Sequence, residues 1–90
     1  MNMKPRIEVM FRKGKPVTAF FHVLEASSGR TGRQIAIRPP MVAHYDAAGH
    51  PSGLEVPLPL TVQIGQINEA LREVGGEPVG DADLIPLRSL

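Results

Sequence analysis

The sequence predicts an α+β fold: an antiparallel β-meander of about five short strands, one C-terminal α-helix packed on one face, and a short helical turn at the end. Three observations predict it. Apolar residues recur at period two through the first two thirds of the chain, in short runs punctuated by Gly and Pro. The period then becomes helical after residue 60. With 90 residues, the chain is read as one domain, 1–90, with a small core.

The first strand covers about residues 5–12. Ile7, Val9 and Phe11 point one way, and Arg6, Glu8, Met10 and Arg12 the other. Lys13-Gly14-Lys15-Pro16 makes a hairpin connection. The second strand, 17–24, has Val17, Ala19, Phe21 and Val23 on one face. Phe20 and Leu24 make its other face apolar as well. Residues 25–33 are polar and glycine-rich and read as a loop. The third strand is 34–38, with Ile35 and Ile37 inward, and Pro39-Pro40 interrupts it. The fourth is 41–46, the turn centres on Gly49, and the fifth is 52–56. In the helix, about 63–74, Ile64, Ile67, Leu71 and Val74 form one stripe. Thr61 is a candidate for its N-cap, and Gly75-Gly76 ends it. Asp81 caps a final turn that ends at Pro86.

The chain has no cysteine, which excludes a disulfide scaffold, a thiol nucleophile and cysteine-based zinc or iron–sulfur sites. The net charge of +1 hides a polarity. Eight Lys and Arg against two acids leave residues 1–44 at +6, and two Arg against seven acids leave 45–90 at −5. The apolar run Val17–Leu24 contains Thr18 and His22. It is too short and polar for a signal core or membrane span, so the chain is expected to be unprocessed and cytoplasmic, with no membrane partner.

Four groups of residues are candidates for chemistry or binding. His44, Asp46 and His50 gather around one turn and have the donor chemistry for zinc, nickel or iron. The competing reading is a polar loop tip in which Asp46 bonds the turn backbone. Glu55 suits either a general base or a partner's arginine; structurally it pairs with Arg38 or His44. The glycines and arginines of residues 27–33 lack phosphate-loop spacing. Arg30, Arg33 and Arg38, with Lys13 and Lys15, offer a basic patch for nucleic acid, a partner the thin aromatic content argues against. The serines follow no Gly-x-Ser-x-Gly pattern. No catalytic set and no cofactor is assigned.

Met41–Val56 contains Tyr45-Asp46 followed by Gly49 and by Gly53-Leu54-Glu55-Val56. This pattern resembles the hairpin of a family of small bacterial proteins of unknown function. Gly14-Lys15-Pro16 before Phe20-Phe21, Ile67-Asn68-Glu69-Ala70-Leu71, and Asp83-Leu84-Ile85-Pro86-Leu87-Arg88 are similar to other segments of that family. His44 stands where the family has an acidic residue, and Ser52 where it has an apolar one. The resemblance implies a hairpin fold without an established enzyme activity. Through relatives that look like antitoxin halves of toxin–antitoxin pairs, it also implies protein binding.

The expectation is therefore a non-enzymatic protein-interaction module acting as a homodimer, with Phe20, Leu24 and Glu55 at the interface. Phe20 and Leu24 lie opposite Phe21 and Val23, so one apolar face needs a cover, and a second copy supplies it. The alternatives are a metal-binding protein or small enzyme using His44, Asp46, His50 and Glu55, and an antitoxin-like or nucleic-acid-binding protein using the basic half.

Overall fold

A computed structural model of the chain describes residues 6–23 and 31–88. It contains five strands, β1 (Arg6–Arg12), β2 (Lys15–His22), β3 (Thr31–Ala36), β4 (Val42–Asp46) and β5 (Pro51–Pro57), then helices α1 (Ile64–Glu73) and α2 (Asp81–Arg88). The strands form one antiparallel sheet, making an α+β fold, but the spatial order is β1-β2-β5-β4-β3. The sheet is thus meander-like, with an order that is not sequential throughout. A β1–β2 hairpin and a β3–β4–β5 meander are joined by pairing β2 to β5, so β3 lies at the far edge. Phe21 stands opposite Leu54 and Ala19 opposite Val56 at that seam. The pairing buries two apolar strand faces together, which sequential stacking of β3 on β2 would not do.

The β1–β2 turn is tight. Arg12 pairs with Lys15, leaving Lys13 and Gly14 as a two-residue loop at φ 54° and 79°. Two positive φ values define a type I′ turn, whose twist matches the flanking strands. In β2 an extra residue, Val17, lies between the partners of Met10 and Phe11. The bulge is therefore on β2, and β1 itself runs regularly.

Several element boundaries differ from expectation: β2 runs Lys15–His22 rather than 17–24, and β3 starts at Thr31, inside the expected loop 25–33. β3 ends at Ala36 rather than at residue 38, because Arg38 adopts a left-handed φ of 42°. Ile37 N–H donates to the Met41 carbonyl, closing the turn. Ile37 packs on the core while Ile35 is 39% exposed. Gln63, not Thr61, is the N-cap of α1. The final segment is a helix through Arg88, not one turn; Asp83 Oδ2 accepts the Gly80 N–H at 2.8 Å, the reach-back half of a capping box. Pro86 fits inside this last turn.

Ala19 and Phe21 of β2, Leu54 and Val56 of β5, Ile67, Ala70 and Leu71 of α1, and Leu84 and Leu87 of α2 belong to one buried cluster. The helical stripe read from the sequence is thus the buried side of α1, with Val74 also buried. Helix α1 stops in a Schellman motif: Gly75 has φ 79°, Gly76 N–H reaches the Leu71 carbonyl, and Gly75 N–H reaches that of Arg72. Asn68 then fixes the following segment. Its Oδ1 accepts the Val79 N–H at 2.8 Å, and its Nδ2 donates to the Val79 carbonyl at 3.1 Å. No helix among the described residues is long and apolar enough to cross a membrane.

Candidate interaction surface

Strand alternation divides the sheet into two faces. Ala19, Phe21, Leu54 and Val56 enter the core, so Thr18, Phe20, His22, Gly53 and Glu55 lie on the opposite, open face. The pairings Glu8↔Phe20, Val42↔Glu55 and His44↔Gly53 extend this face across β1 and β4.

Phe20 is its centre. The ring lies 4.6 Å from that of His22 and 4.8 Å, edge-on, from that of His44. Both separations are typical of aromatic contacts. Gly53 makes room for it: a Cβ there would collide with Phe20 Cε1 and Cζ. His22 and His44 flank Gly53 along one cross-strand row, and the ring fills the gap between them.

Each imidazole is anchored by a carboxylate of a neighbouring strand. His22 Nε2 donates to Glu8 Oε1 and His44 Nε2 donates to Glu55 Oε1, both at 2.8 Å. The His44 side chain is only 13% exposed. The result is Glu8–His22–Phe20–His44–Glu55, a chain of contacts across four strands. Phe20 is half-buried without any second molecule, so it needs an external cover less than its face assignment suggested.

The predicted interface residues Phe20 and Glu55 sit directly opposite one another; Leu24 lies outside the described residues. Of the three predicted metal ligands, Asp46 and His50 are neighbours while His44 is held apart from them. Asp46 is buried, and its Oδ1 accepts the N–H groups of Ala48 and His50, each at 2.9 Å. Its Oδ2 is 3.7 Å from His50 Nδ1. His44 is held by Glu55 instead. Between these groups the register shifts, with Ser52 the extra residue on β5. Among the described residues no group of three or more His, Asp or Glu is placed to hold a metal ion.

The basic residues are scattered too. Arg30 lies outside the described residues. Arg38 is bound to α1, with Nη1 2.8 Å from Glu69 and Nη2 3.2 Å from Glu73. Arg33 is on β3 and borders an open groove of about 500 Å³ with Ile35 and Tyr45. That strand is four positions across the sheet from β1, roughly 19 Å from the edge with the Lys13–Lys15 hairpin.

Sequence reasoning missed the two-sided clasp on Phe20. His22 and Glu8 fourteen positions apart carry no local signature. The usable signal is Gly53 inside the strand 52–56, since a strand glycine often marks the close approach of another group.

Fold and surface together define an α+β protein with one buried and one open sheet face, the open face built around an aromatic–imidazole–carboxylate cluster. In comparisons with known proteins, the chain matches no family model, no curated protein and no solved structure.

Proposed function

We propose that this is a non-enzymatic protein-interaction module that acts as a homodimer in the cytoplasm, with Phe20 and Glu55 as contact residues of its open face. The observation that carries this reading is the clasped Phe20. An aromatic ring on the sheet face opposite the core is held between two imidazoles, each fixed by a carboxylate. Holding the rotamers in advance lowers the ordering entropy a contact must overcome. An aromatic anchor with polar groups around it is also the usual make-up of an energetically dominant contact patch. Size-exclusion chromatography with light scattering tests the homodimer. A two-chain mass at micromolar concentration supports it, and 9.8 kDa throughout the range rejects it.

A further inference from the structure

The sheet ends in two edges, β1 and β3, and they differ in how they meet a neighbour. An unpaired edge offers free N–H and C=O groups to another strand, and proteins blunt such edges with bulges, prolines or lysines. β3 is blunted. Gly32 is an extra residue between the partners of Asp46 and Tyr45, and its backbone approaches Asp46 so closely that no Cβ fits. Pro39-Pro40 follows shortly after its end. β1 has none of these devices. It contains no Pro or Lys, and the bulge in its hairpin lies on β2. No described strand pairs with its outer side. It also carries two of the most exposed large apolar residues of the described chain, Met10 at 42% and Phe11 at 60%.

We infer that a second copy of this chain docks antiparallel on β1, with Met10 opposite Met10 of the partner copy. This rests on the homodimer reading and locates its seam. A two-fold axis perpendicular to the sheet places one residue opposite itself, with the same face of both copies on the same side. Charge and apolar exposure together select the register, since centring on Ile7 also sets Arg6 against Glu8 twice but leaves Met10 and Phe11 unpaired within the strand. Centring on Val9 sets Arg6 against Arg12 twice. Centring on Glu8 sets Glu8 against Glu8. Centring on Met10 sets Glu8 against Arg12 twice, Met10 against Met10, and Val9 against the exposed Phe11. Like charges directly opposite destabilise a strand pair and opposite charges stabilise it, so the Met10 register is the one both charge and apolar exposure favour. Main-chain hydrogen bonds supply the affinity, as in strand addition generally. The two open faces become continuous, with Glu8 and Met10 at the seam and a Phe20 on either side of it.

The chain contains no native cysteine, which makes the test clean. Directly opposite antiparallel residues have Cα atoms about 4.5–5.5 Å apart, inside the disulfide range. Met10→Cys is expected to form a covalent dimer on mild oxidation, and Ile35→Cys on β3 is expected not to. Arg12→Glu is expected to raise the dimer Kd at least about tenfold, and Glu8→Arg combined with Arg12→Glu to bring it back to within about threefold. Circular dichroism confirms that each variant keeps its sheet. A dimeric parent in which Met10→Cys stays uncrosslinked and Arg12→Glu leaves the Kd unchanged overturns the seam alone. A parent that is monomeric at micromolar concentration overturns the homodimer reading with it.

Discussion

At the scale of single residues, Asn68 and Gly53 do the work of fixing neighbours that side-chain type alone would not reveal. Asn68 satisfies both backbone groups of buried Val79. Replacing it with Leu leaves a donor and an acceptor unpaired in a desolvated site, and each such group costs about 1–3 kcal/mol. Asn68→Leu is expected to lower the urea midpoint accordingly with an unchanged m-value; a loss below about 0.5 kcal/mol would mean that water replaces the amide. At Gly53 the expected effect is overpacking. Gly53→Ala should cost about 1–3 kcal/mol and move the Phe20 and His44 side-chain resonances, because the ring must leave its seat. Unchanged resonances would show that the ring is not seated there. The sequence makes Gly53 visible only as part of a hairpin pattern. The pairing of His44 with Glu55 is legible as one of two structural options for that glutamate, whereas Glu8 with His22 depends on the hairpin register and is not.

At the scale of elements, most of the pattern is legible because it is local. The period-two run of β1, the turn after it and the stripe Ile64, Ile67, Leu71, Val74 are each set by neighbours in sequence, and each forms, although Phe11 is exposed while Ile7 and Val9 pack on the core, and the turn shortens to Lys13-Gly14 because Lys15 and Pro16 join β2. Boundaries fail where backbone geometry outranks side-chain pattern. Arg38 continues the polar alternation of β3 but takes a left-handed φ at the turn, stabilised from outside by Glu69 and Glu73 of α1. Those pairs are exposed, so Arg38→Ala should cost under about 1 kcal/mol, and less still as salt is raised. In the β1–β2 turn, Lys13 occupies a positive-φ position that Asn tolerates better. Lys13→Asn is expected to stabilise the protein by about 0.5–1 kcal/mol, read as a raised Tm; a lowered Tm would contradict the type I′ assignment.

At the scale of the whole molecule, the two phenylalanines of β2 report how the sheet is covered. Phe21 is fully buried in the cluster shared with both helices, while Phe20 is half-buried on the open face. Phe21→Ala should cost about 3–5 kcal/mol, and Phe20→Ala clearly less, since it is only half-buried, against two imidazole rings. Equal costs in thermal or urea unfolding would contradict this division of the faces. Strand order was the part of the fold least legible in the sequence. Which strand lies beside β2 is decided by matching Phe21 and Ala19 to Leu54 and Val56, a long-range choice. The alternation of β3, where Ile35 remains exposed at the edge, resembles that of β5 when read alone.

The β2–β5 seam also bears on how fast the protein reaches this structure. The hairpin and the meander each close through short turns, but their union brings Phe21 to Leu54 across everything from residue 22 to residue 53. That closure carries most of the loop entropy and must be made before the core rewards it. Docking of the hairpin on the meander is therefore expected to limit the folding rate. Substitutions at Ala19 or Val56 should slow refolding, whereas the Lys13–Gly14 turn, formed within one half, should alter it through that half's own stability.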